Sequence, residues 1–148
     1  MLFQYTWQYI LDGPKTQTRR LRHPGDVEQY DDPVTKEHII QVIRRPEIGP
    51  SQVQFEVGQL YAVQPGRGKK TIARIKMTGI RRERLQDISE ADALREFPVT
   101  SPTTDQTDAQ WARKTFMETW DKMHAEVGTR WQDNPEVWVL DFELIHKL

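Results

Sequence analysis

The chain predicts an α+β fold, and three observations carry that expectation. Residues 71–78 alternate cleanly, with Ala73, Ile75 and Met77 on one side and Arg74, Lys76 and Thr78 on the other, as a half-buried strand does. Residues 107–127 place Trp111, Phe116, Trp120, Met123 and Val127 along one helical stripe. The last segment sets Trp138, Leu140, Phe142 and Leu144 on one face of a closing strand.

The elements follow in chain order. Phe3, Trp7, Ile10 and Leu11 have helical spacing, so a short helix is expected over 3–11, held by packing more than by propensity. Gly13 stops it, because glycine accepts the left-handed conformation that ends helices, and Pro14 forbids its continuation. Residues 23–56 carry the turn chemistry of His23-Pro24-Gly25-Asp26, Asp31-Asp32-Pro33, Pro46 and Gly49-Pro50. They read as an elaborated loop or hairpin inserted into the domain, with 34–43 as one arm. Gly58-Gln59 turns into a strand at Leu60-Tyr61-Ala62-Val63, and Pro65 to Lys70 is a loop with three positive charges. Gly79 marks a bulge in the alternating strand. Ser89 caps a short helix that ends near Glu96-Phe97-Pro98, with Asp92 three residues on. Gly128 closes the long helix, and Asn134-Pro135 turns into the final strand.

A length of 148 residues suits one domain, 1–148, with 36% hydrophobic and 29% charged residues. Without cysteine there is no disulfide, thiolate nucleophile or cysteine zinc site, and a reducing cytoplasm is the expected location. No apolar stretch reaches membrane-spanning length, and no signal peptide is visible. The four histidines, His23, His38, His124 and His146, are scattered without ligand-like spacing, so neither a metal site nor a cofactor is expected. The net charge of −1 hides an asymmetry: residues 1–84 carry +6 and residues 85–148 carry −7. The basic half suits a polyanion unless the two halves interleave in the fold and cancel.

The most informative segment is Gly13-Pro14-Lys15-Thr16-Gln17-Thr18-Arg19-Arg20. After a helix stop, Lys15, Thr18 and Arg20 can converge on one spot. A cation, a hydroxyl and a forked donor together suit an anionic or carbonyl-bearing ligand. Trp111, Trp120 and Trp138 read as core residues and Trp131 as a cleft rim.

Gly13-x-Lys15-x-x-Thr18-x-Arg20 resembles the GxKxxTxR signature of ASCH domains, members of the PUA-like superfamily. Gly58-Gln59-Leu60-Tyr61 resembles that family's strand opening. Residues 84–96 resemble the segment ending in its acidic residue. Phe116, Trp120 and Asn134 to Val139 resemble the phage and prophage branch. The resemblance covers most of the chain outside 23–56. It implies a small PUA-like mixed β-barrel with flanking helices and a basic cleft floored by the signature.

The resemblance further implies binding of RNA or a modified nucleoside. The residues placed at such a site are Gly13, Arg19, Arg20 and Gln64, joined on charge by Arg67, Lys69 and Lys70. A second implication is an amidohydrolase that removes the acetyl group of N4-acetylcytidine. Carried over by motif, its catalytic residues would be Lys15, Thr18 and Glu96; some relatives are ribonucleases. Read without the family, Thr18 is a turn-capping hydroxyl, and Lys15–Glu96 is an ion pair bracing the first helix. Three departures fall around the cleft. Gln59 stands for the usual Asp, Val63-Gln64 for an Arg-Glu pair, and Phe97 for a glycine.

Overall fold

Two twelve-residue strands, β6 (Ala73–Arg84) and β7 (Glu136–Lys147), pair antiparallel along their whole length and form the spine of the molecule. The computed structural model describes residues 1–148. Before the spine come helix α1 (Trp7–Leu11) and strands β1 (Gln17–Leu21), β2 (Asp26–Tyr30), β3 (Ile39–Arg44), β4 (Gln52–Glu56) and β5 (Leu60–Val63). Helices α2 (Glu90–Glu96) and α3 (Asp108–Met123) lie between β6 and β7. All seven strands join one antiparallel sheet in the order β1-β7-β6-β3-β2, with β4 added to β3 and β5 to β6. The class is α+β, as expected.

The expected barrel is not closed. β1 and β2 end the strand order without pairing to each other. The approach to β1 is met instead by the end of α2, where the Thr16 N–H donates to the Arg95 carbonyl at 3.1 Å.

β7 shows why this sheet has core on both sides. Val137 and Val139 pack under α2 and α3 with Ala93, Phe97, Ala112, Phe116 and Trp120. Trp138 and Leu140 point the other way, into a cluster with Val42, Phe55, Met77 and Ile80. A third cluster joins Phe3 and Ile10 to Val63, Ile75 and Phe142. The single apolar face expected for this strand therefore understates its burial. Strands covered on both faces read as continuous apolar runs, and Val137 to Leu140 is such a run.

Several expectations are met in detail. Ala73, Ile75 and Met77 are buried while Lys76 and Thr78 are exposed, and the β6 register shifts between Met77 and Gly79. Ser89 caps α2 by accepting from the Asp92 N–H. Others are corrected. The first helix starts at Trp7, because Leu2 bridges to Gln64 and the Phe3 N–H donates to the Gln64 carbonyl at 2.9 Å. α3 stops at Met123, five residues before Gly128: His124 leaves the helical backbone (φ −129°, ψ 80°) and stacks on Trp120 at 3.8 Å between ring centroids. Met123 and Val127 are consequently exposed, and Ala112 and Thr119 replace them on the buried stripe. Segment 23–56, read as an elaborated loop or hairpin, holds the β2–β3 hairpin and in addition β4, and all three strands pair within the sheet.

This hairpin is anchored by a buried carboxylate. Asp26 accepts from Arg44 Nε at 2.7 Å, from Trp138 Nε1 at 2.9 Å and from the His23 N–H at 3.0 Å. Burial alone would push its carboxyl pKa up, but these three donors outweigh it and hold the pKa below the ordinary value. No helix is long and apolar enough to cross a membrane.

Candidate functional site

The site grows from the exit of α1. The Gly13 N–H donates to the Ile10 carbonyl, and Gly13 takes φ = 91°, the left-handed region where a side chain is strained. The chain reverses, the Lys15 N–H donates to the Tyr9 carbonyl, and the Lys15 side chain runs inward to 3% exposure. β1 then alternates. Gln17 and Arg19 share one face, where Arg19 Nη1 donates to Gln17 Oε1 at 2.6 Å. Thr18 and Arg20 share the other, where Arg20 Nη1 donates to Thr18 Oγ1 at 2.9 Å.

Glu96, the last residue of α2, receives both neighbouring cations. Lys15 Nζ donates to Glu96 Oε2 at 3.2 Å, to the Glu96 carbonyl at 2.9 Å and to the Gln17 carbonyl at 2.8 Å. Arg19 Nη1 donates to Glu96 Oε1 at 3.2 Å. Arg19 is further held by Glu83 at 2.9 Å and Asp92 at 3.4 Å, while its buried Nε–H meets no protein acceptor. Lys15, Arg19 and Glu96 are all at least 96% buried along their side chains. Breaking such a pair by removing one partner costs roughly 3–5 kcal/mol, because a buried charge is left uncompensated.

Burial is the largest influence on Lys15 and draws its pKa down from 10.5 to about 8. Glu96 opposes that shift; the Arg20 and Arg19 guanidinium groups reinforce it. Lys15 is therefore an ammonium at neutral pH that gives up its proton about two pH units more easily than an exposed lysine.

Lys15, Thr18, Arg20 and Glu96 all line one small pocket, with a cavity volume of about 40 Å³. Phe97, Phe116 and Trp120 form apolar walls, and Leu2, Phe3 and Tyr5 form the N-terminal lip. The wall rings support one another: Phe97 meets Phe116 edge-on at 6.3 Å, and Phe116 lies 5.9 Å from Trp120. A concave apolar site with a few convergent polar groups is the usual form of a small-molecule pocket.

The expected residues separate into two groups. Lys15, Thr18, Arg19, Arg20 and Glu96 come together at the pocket. Gly13 shapes the turn behind it without lining it. Gln64 pairs with the lip through backbone hydrogen bonds to Met1 and Phe3, each 2.9 Å. Arg67, Lys69 and Lys70 lie exposed on the β5–β6 loop and do not line the pocket. The Lys15–Glu96 pair braces the approach to β1 against the end of α2.

Sequence reasoning missed the walls. In the sequence Phe97 stands only as a departure from glycine, and Phe116 and Trp120 read as a helix stripe and as part of the family likeness. Both readings hold at once, since these rings are core residues whose edges border the cavity. The lip residues Leu2 and Tyr5 gave no signal. Trp131, expected at a cleft rim, packs instead against Phe116 at 6.3 Å and under the Arg113 guanidinium at 5.0 Å.

No family model matches the chain, and no curated protein does. Solved structures share its fold. Protein EF3133 from Enterococcus faecalis V583, described under family DUF984, superposes with a TM-score of 0.55 at 14% identity, covering 95% of this chain and 70% of that one. An ASCH domain from Lactobacillus crispatus JV V101 superposes with a TM-score of 0.52 at 19% identity, covering 93% of this chain and 68% of that one. The fold is thus ASCH-like, and at these identities the likeness is one of fold alone.

Proposed function

We propose that this chain is an ASCH-type nucleoside-recognition module. Its pocket takes a nucleobase and ribose, either free and modified or displayed by RNA. The observation that carries this reading is the convergence of Lys15, Thr18, Arg20 and Glu96 on one cavity walled by Phe97, Phe116 and Trp120. A base is a flat apolar body with donors and acceptors on its edge, so it needs apolar walls and a few fixed polar groups. Arg20 and the threonine hydroxyl supply donors and Glu96 supplies acceptors, while the Lys15 ammonium, its three hydrogens given to Gln17 and Glu96, holds Glu96 in place. The order of motifs favours the phage and prophage branch, and the lack of cysteine suits a reducing cytoplasm. Calorimetric titration with the four ribonucleosides and N4-acetylcytidine tests this. Saturable binding of at least one, weakened in Thr18→Ala, supports it; no binding by any of them rejects it.

A second reading is favoured by the lowered pKa of Lys15, in the same pocket as Thr18. In this reading Thr18 Oγ attacks the acyl carbonyl of an N4-acylated cytidine, and the Lys15 amine takes the hydroxyl proton. The C–N bond breaks, the base amine leaves with a proton, and water hydrolyses the acyl-threonine ester to acetate. Arg20, donating to Thr18 Oγ1, stabilises the developing alkoxide. Free acetate released from N4-acetylcytidine, and absent in Thr18→Ala, supports catalysis. Binding without acetate leaves the pocket a recognition site.

A further inference from the structure

Within the pocket, charge is balanced at every cation except one. Lys15 has Glu96, and Arg19 has Glu83, Asp92 and Glu96. Arg20 has no carboxylate within ion-pair distance: its partners are the Thr18 hydroxyl, the Arg19 carbonyl at 3.2 Å and the Leu2 carbonyl at 2.7 Å. Neutral oxygens orient a guanidinium but do not neutralise it. Three cations and a single carboxylate therefore line the cavity, and the surplus charge sits on Arg20.

Geometry adds to this. Arg20 is held over the Phe3 ring at 5.0 Å, half-buried at the lip, so its fork is fixed before any ligand arrives. A guanidinium carries five N–H donors. Nη1 and one Nη2 hydrogen are engaged, which leaves the Nε–H and the other Nη2 hydrogen without a protein acceptor. Two free N–H donors on one oriented guanidinium suit the oxygens of a phosphate.

We propose that Arg20 is the phosphate-binding residue of this cleft, so that its preferred ligand is a nucleotide rather than a nucleoside. This rests on the reading of the pocket as a nucleoside site and narrows its ligand class. The phosphate comes from a free nucleotide or from a strand. The β5–β6 loop bearing Arg67, Lys69 and Lys70 follows Gln64, which pairs with the same lip, so a strand ligand and not a free nucleotide would call on these cations.

The experiment is a set of dissociation constants for ribonucleosides, their 5′- and 3′-monophosphates and a hexaribonucleotide, measured on the full chain. The expected result is that a monophosphate binds about tenfold or more tightly than its nucleoside, by a charge-assisted bidentate contact. In Arg20→Gln the ratio of the two constants collapses towards one, and in Arg20→Lys it falls part of the way. Equal binding of nucleoside and monophosphate by the wild type overturns the proposal, whatever the variants do. A phosphate preference that persists in Arg20→Gln also overturns it, and the nucleoside site then stands without its phosphate contact. If neither nucleoside nor monophosphate binds, the reading of the pocket fails and this proposal with it. A hexanucleotide that outbinds the monophosphate, with that advantage reduced by substituting Arg67, Lys69 and Lys70, assigns the phosphate to a strand. Equal binding of the two assigns it to a free nucleotide.

Discussion

Lys15 Nζ lies 3.2 Å from Glu96 Oε2 and 2.9 Å from the carbonyl of the same residue, across 81 positions of sequence. One ammonium thus pins the approach to β1 against the C-terminus of α2. Cations are favoured at helix C-termini, where carbonyls lack intrahelical partners. The pocket exists because these two segments meet, so its chemistry and its stability share a residue.

That sharing predicts an unusual pH dependence. The folded-state pKa of Lys15, about 8, lies below the unfolded value near 10.5. Between those values the unfolded chain binds the extra proton, so the stability contribution rises with pH. Urea unfolding of the wild type minus that of Lys15→Met, from pH 7 to 10.5, should grow with pH by up to about 3 kcal/mol. A flat difference would mean that Lys15 titrates normally.

Asp26 predicts a slope of the same sign in a different window, at acid pH. Its lowered carboxyl pKa adds stability above the ordinary value of 3.8, and that stability is lost as pH falls through the folded value. Asp26→Ala leaves Arg44 and Trp138 Nε1 without their acceptor and should cost about 3–5 kcal/mol at pH 7. Chemical denaturation at pH 7 and pH 3 reads both effects; the difference between wild type and variant should shrink at the lower pH.

If the pocket hydrolyses acylated nucleosides, the rate follows the Lys15 amine. Acetate release should climb with pH and level off above about 8, and Thr18→Ala should lower it by at least about a thousandfold. Turnover that survives in Thr18→Ala would remove Thr18 as nucleophile.

The β5–β6 loop makes a separate prediction for RNA. Substituting Arg67, Lys69 and Lys70 together should weaken binding of a single strand, and the slope of log K against log salt should shrink by about 2 for three lost phosphate contacts. An unchanged slope would take the loop out of the interface.

Sequence made the regular elements readable where one physical cue dominated: alternation in β6, the Ser89 cap of α2, the glycine stop before Lys15. It also placed Lys15, Thr18 and Glu96 together, by likeness to a motif rather than by spacing. What stayed hidden depends on partners far away in sequence. Asp26 is buried because Arg44 and Trp138 meet it, and a polar residue in a turn gives no hint of that. The strands of 23–56 mix polar and apolar residues, since only one side of each finds core. The lip at Leu2 and Phe3 forms by pairing with Gln64, a contact without local signature.

The most direct test is a ¹H–¹⁵N spectrum of the labelled chain titrated with ribonucleosides and N4-acetylcytidine. The account predicts saturable shifts at the amides of Lys15, Thr18, Arg20, Glu96 and Phe97 and at the indole of Trp120, with Trp131 and the β2–β3 hairpin unmoved. Shifts confined to residues outside this pocket, or none at all, would contradict it.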